Sequence, residues 1–69
     1  LTVHQALEKI FRLREERDLE IDPGMKAELH RAFCARLEEF IREHNLNMTR
    51  ADFLAATRED YKHWRRNPH

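Results

Sequence analysis

The stretch Asp22-Pro23-Gly24-Met25-Lys26-Ala27-Glu28-Leu29-His30-Arg31-Ala32-Phe33-Cys34-Ala35-Arg36-Leu37-Glu38-Glu39-Phe40-Ile41-Arg42-Glu43-His44-Asn45 decides the fold. Proline at position 23 pushes Asp22 into extended backbone, the conformation of a helix N-cap, and at the first helical position its missing N–H removes no needed hydrogen bond. From there Met25, Leu29, Ala32, Phe33, Leu37, Phe40 and Ile41 recur at helical spacing as one apolar stripe. The stripe is broad enough to be covered by two neighbours, so this helix reads as the central element. Asn45 tolerates the left-handed conformation that ends a helix, and Leu46 then stands where a closing apolar contact belongs.

Upstream, Thr2 and Gln5 have the spacing of a capping box, and Val3, Ala6, Leu7, Ile10 and Leu13 share a helical face with Phe11 at its margin. Downstream, Thr49 and Asp52 repeat the capping logic, with an acid placed at the positive end of the helix dipole. Phe53, Ala56, Thr57, Tyr61 and Trp64 make the next face, Leu54 flanks it, and Lys62, Arg65 and Arg66 suit a helix C-terminus. The expectation is an all-α domain of three helices near 3–17, 23–44 and 50–65, with the long central helix sandwiched and the end at Asn67, Pro68 and His69 frayed. The connectors carry alternating apolar residues, Leu19 and Ile21 in one and Leu46 and Met48 in the other. Alternation of this kind admits a short two-stranded contact between the two loops.

Length and composition narrow the function. The chain has 69 residues, 13 basic and 13 acidic groups, and one each of glycine and cysteine. A single domain over 1–69 is all it can form. A chain this short buries about 60% of the surface that its unfolded form exposes, which leaves no room for the deep cleft of an ordinary enzyme. The charge content, 38% with no net charge, argues against a disordered tail and against a strongly basic nucleic-acid domain. One cysteine forms no internal disulfide, which favours a reducing compartment and hence the cytoplasm. No apolar run is long enough to span a bilayer, and Leu1 to Gln5 show no signal-peptide pattern. The absence of an initial methionine suggests a processed chain or an excised domain.

Two constellations bear on chemistry. His30 and Cys34, four apart on the central helix, point the same way and are competent zinc ligands. A structural zinc needs four ligands, and His4, His44, His63 and His69 offer no ligand-spaced pair, so no metal is expected and Cys34 reads as a small apolar residue on the flank of the stripe. In the third helix Asp60 falls within the face made by Phe53, Thr57, Tyr61 and Trp64. A carboxylate belongs there only at a wet edge, paired with Arg14 or Arg17 of the first helix, or in a surface that meets a partner. On the second reading Thr57, Asp60, Tyr61, Trp64 and Arg65 form a partner-binding patch, with the aromatics as anchors and Asp60 setting orientation.

The run from Leu37 to Asn45, followed by Leu46-Asn47-Met48-Thr49-Arg50-Ala51-Asp52-Phe53-Leu54-Ala55-Ala56, resembles the small helical domain at the C-terminus of the B subunit of light-independent protochlorophyllide reductase. In that domain an apolar residue, Glu, any residue, an aromatic, a small residue, Arg, Glu, any residue and Gly precede a short stretch that ends in Ile-Thr before the next helix. Here Ile41 stands at the small position and Asn45 at the glycine. The resemblance implies an accessory role in a tetrapyrrole reductase system. It carries over no catalytic residue, because that enzyme's iron-sulfur ligands lie in a body this chain lacks.

Divided along its length, the charge is uneven: residues 1–22 hold four basic and six acidic groups, 23–45 hold four of each, and 46–69 hold five basic and three acidic. Arg58, Lys62, Arg65 and Arg66 lie among Tyr61 and Trp64 as in a weak nucleic-acid surface, but the excess is thin for that role. The functional expectation is a non-enzymatic module for protein-protein interaction or self-association, without cofactor. The alternatives are the reductase accessory domain and weak nucleic-acid binding through the basic C-terminal helix.

Overall fold

The helix that begins at Pro23 starts and stops as its sequence requires. A computed structural model of the chain describes residues 3–67, so the expected Thr2 cap and the frayed Pro68 and His69 fall outside the described residues. In it this helix runs Pro23–Glu43 behind an extended Asp22, whose carboxylate accepts the Met25 N–H at 2.9 Å. Just before it, the Glu20 carboxylate accepts the N–H groups of Ile21 and Asp22, both at 3.1 Å. At the other end Asn45 takes a left-handed φ of 53°. Its N–H donates to Arg42 C=O at 3.2 Å and that of Leu46 to Ile41 C=O at 3.0 Å, the paired bonds of a Schellman turn. Leu46 packs against the core, as this turn demands.

Four helices form among the described residues: α1 over Val3–Leu19, α2 over Pro23–Glu43, α3 over Arg50–Ala56 and α4 over Arg58–Arg66. Thr49 begins α3 with the expected box: its hydroxyl accepts the Asp52 N–H at 3.1 Å and the Asp52 carboxylate accepts the Thr49 N–H at 3.4 Å. The expected third helix is broken in two at Thr57 (φ −103°, ψ 9°). The Thr57 hydroxyl donates to Phe53 C=O at 2.8 Å, in competition with the helical ladder, and such back-bonding bends helices. The chain keeps bonds on both sides of the joint, Thr57 N–H to Phe53 C=O and Tyr61 N–H to Thr57 C=O.

The expected two-stranded contact is not formed, and there is no strand among the described residues. The two connectors lie at opposite ends of α2, about 30 Å apart for 21 residues at 1.5 Å rise. Leu46 and Met48 pack on the core, whereas Leu19 and Ile21 are exposed, Ile21 at 94%.

Ile10, Phe33, Leu37, Phe40 and Phe53 form the core, which joins α1, α2 and α3. Phe40 meets Phe53 edge-on at 5.5 Å, and Arg50 pairs with Glu38 across the same junction at 3.4 Å. On the next face of α1, Phe11 is buried under α4. The packing is therefore a ring in which α1 touches α2 and α4, and α3 touches α2 and α4. α2, the expected central helix, touches both α1 and α3. α2 is covered along its C-terminal half, but its first turns extend past the ring, where Met25 is 55% exposed and Ala32 is on the surface. No helix among the described residues is long and apolar enough to cross a membrane.

Two substitutions test the caps. Asn45→Gly should leave stability equal or higher, whereas Asn45→Val should lose about 1–2 kcal/mol for forcing a β-branched residue into left-handed backbone. Asp22→Ala should cost about 1 kcal/mol in urea unfolding, because the Met25 N–H loses its acceptor.

Candidate functional site

At about 100° per residue, α4 divides into three faces. Tyr61 points inward and is only 5% exposed. Trp64, one turn on, is half-buried on one flank with Asp60 and His63, while Arg58, Lys62, Arg65 and Arg66 lie exposed on the other. Phe11 of α1 holds both aromatics, with ring centroids 5.4 Å from Tyr61 and 5.9 Å from Trp64.

Tyr61 is anchored by charge as well as by packing. Its hydroxyl donates to an Asp18 carboxylate oxygen at 3.2 Å, and Arg17 holds the other oxygen of that carboxylate at 3.0 Å. The Arg14 guanidinium lies 4.2 Å from the centre of the Tyr61 ring. Its Nε and Nη1 are buried without a hydrogen-bond acceptor among the described residues, and the electron-rich ring face offsets part of that loss. Arg65 also approaches this ring and pairs with Glu15 of α1 at 3.7 Å. Burial first, and then the charge and hydrogen bond of Asp18, push the Tyr61 phenol up to about 12, against the opposing pull of Arg65 and Arg14.

Between the N-terminal half of α1 and the Trp64 flank of α4 the packing leaves a groove of about 510 Å³. Leu7, Phe11 and Trp64 supply its apolar lining. Glu8 stands on the α1 side and Asp60 on the α4 side, with His4 and His63 beside them. The His4 Nε2 lies 3.0 Å from the Glu8 carboxylate, and the side chains of His63 and Asn67 meet at 3.0 Å.

Of the five residues in the expected patch, the structure brings only Asp60 and Trp64 together in this groove. Tyr61 is withdrawn into the packing against α1, Thr57 is half-buried at the helix joint, and Arg65 lies on the opposite flank. The ion pair expected between Asp60 and Arg14 or Arg17 is not formed; Asp18 takes Arg17 instead. Trp64 and the four exposed cations lie on different flanks of α4. Leu7, Glu8 and Phe11 were not in the expected patch. The position of Phe11 at the margin of the α1 stripe, directly after Ile10, was the available signal.

Cys34 is a half-buried free thiol whose Sγ lies 3.5 Å from His30 Nε2, while His30 Nδ1 faces Arg17 at 3.1 Å. Among the described residues no group of three His, Cys, Asp or Glu side chains is placed to hold a metal ion.

Compared with family models, curated proteins and solved structures, the chain finds no match. The likeness to the reductase domain therefore rests on the residues between Leu37 and Ala56 alone.

The anchor has a pH signature. The folded chain holds the Tyr61 proton more tightly than an unfolded tyrosine, which titrates near 10.0. The stability this contributes is whole below pH 10 and is lost as pH rises towards about 12. An absorbance titration of the single tyrosine should show a midpoint near the upper value, and Tyr61→Phe should flatten the loss of stability over that range.

Proposed function

We propose that the chain is a non-enzymatic protein-interaction module and that its docking face is the groove between α1 and α4. One observation supports this most: the chain's single tryptophan is half-buried at a groove of about 510 Å³ whose rim carries an exposed carboxylate, Asp60. A partly covered aromatic beside a charge is the composition of an interface anchor and its orienting contact. The free thiol of Cys34 suits a reducing compartment, so the reading includes a cytoplasmic location.

Self-association is a second form of the same function, favoured by a separate feature. Leu19, Ile21 and Met25 crown the tip where α1 meets α2, and all three are exposed. Apolar side chains gathered at one end of so small a core gain burial if a second copy covers them.

Asp60→Arg and Ile21→Glu separate these forms. Both positions are exposed, so each variant should unfold within about 0.5 kcal/mol of the parent. Loss of a protein partner in Asp60→Arg alone supports the groove; loss of oligomers in Ile21→Glu alone, by sedimentation, supports the tip. Trp64→Ala should lower stability by about 1–3 kcal/mol, less than a fully buried tryptophan, and should abolish partner capture. A stable monomer that captures no protein overturns the reading.

A further inference from the structure

Thirteen basic side chains are spread over this chain, yet among the described residues no lysine or arginine lines the groove between α1 and α4. Lys9 and Arg12 border a neighbouring depression on α1, which Glu8 also lines. Lys62 pairs with Glu59 at 3.7 Å and Arg65 with Glu15 at 3.7 Å, both off the groove flank of α4. What remains at the rim is one carboxylate from each helix. The Glu8 carboxylate lies 3.0 Å from the His4 imidazole and pairs with no lysine or arginine among the described residues, and Asp60 makes no ion pair among them.

We propose that this groove receives the side chain of an arginine or lysine carried next to an apolar residue on a partner protein segment. The inference rests on the interaction reading above and gives it a partner chemistry. The methylene stem lies along Leu7 and the Trp64 ring, and the charged head reaches the space between Glu8 and Asp60. Long basic side chains cover apolar surface in this way while their heads stay at a wet rim. The indole face adds attraction for the cation, and tryptophan is the strongest of the aromatics in that respect.

The other occupants fit worse. A phosphate or a carboxylate would face two like charges. A wholly apolar segment would cover Glu8 and Asp60 without giving them partners, and the loss of their water would oppose binding. A metal ion lacks the ligand set. The groove volume, about 510 Å³, lies in the range of small-ligand sites and admits a long side chain together with part of its neighbour.

The experiment uses the full chain and its own reporter, since Trp64 is the only tryptophan. Three blocked tripeptides are titrated while Trp64 fluorescence is followed: acetyl-Leu-Arg-Leu-amide, the same peptide with neutral citrulline in place of arginine, and the same peptide with glutamate. The arginine peptide should give a saturable change that weakens with added salt and should bind roughly tenfold more tightly than the citrulline peptide. Asp60→Asn and Glu8→Gln should each reduce that preference and the double variant should remove it, with the far-ultraviolet circular dichroism unchanged. Equal binding of the arginine and citrulline peptides, an undiminished preference in the double variant, or no saturable change with any peptide overturns the proposal. So does sedimentation showing that a second copy of the chain already fills the groove. If the peptides fail while Asp60→Arg still abolishes partner capture, the cation is wrong and the docking face stands; if both fail, the interaction reading falls with it.

Discussion

Ile10 and Phe11 are consecutive on one helix and both are buried, at 1% and 4% exposure. Neighbouring residues on a helix point about 100° apart, so α1 cannot satisfy both with a single partner. One side must meet α2, where Ile10 joins Phe33, Leu37 and Phe40, and another must meet α4, where Phe11 lies against Tyr61 and Trp64. α3 is then the short link that carries the chain from the end of α2 to the second side of α1. The helix that organises the ring is thus α1, although α2 is longer and has the stronger apolar stripe.

The placement of α4 is decided by one side chain. Tyr61 enters the packing with its hydroxyl on Asp18 and its ring under Arg14, which fixes the rotation of the helix about its axis. With that rotation set, Trp64 and Asp60 fall on the flank that borders the groove, and the cations at 58, 62, 65 and 66 fall on the other. A rotation by one residue would have placed Asp60 against Phe11 and left Tyr61 in water. The separation of an acidic, aromatic flank from a basic one is therefore a consequence of the Tyr61 anchor.

Legibility in the sequence followed distance along the chain. The Asp22 and Pro23 start, the Asn45 turn and the Thr49 and Asp52 box depend on residues within about five positions of each other, and all three were readable. The break at Thr57 was not, because threonine is found both inside helices and at their ends, and only its hydroxyl's choice of the Phe53 carbonyl decides between them. The strand contact could have been rejected from the sequence, since the length of α2 holds the connectors apart. In the site, Asp60 and Trp64 were found by spacing. The partner of Tyr61 lies 43 residues away in Asp18, and no periodicity reveals a pairing at that range. The groove's other wall, at Leu7 and Glu8, was hidden for the same reason.

The two sides of α1 differ in how they are closed. α1 and α2 are joined by the three residues from Glu20 to Asp22, so their pairing fixes little chain beyond the helices themselves. α4 returns to α1 only after all of α2 and α3 have been laid down, and it is jointed to α3 at Thr57. Long closures with few contacts are where local opening is least costly. The groove lies across the seam between α1 and α4 and is shaped by both helices. A ligand that contacted both walls would favour the closed ring by mass action, because it would bind only where α1 and α4 stand together.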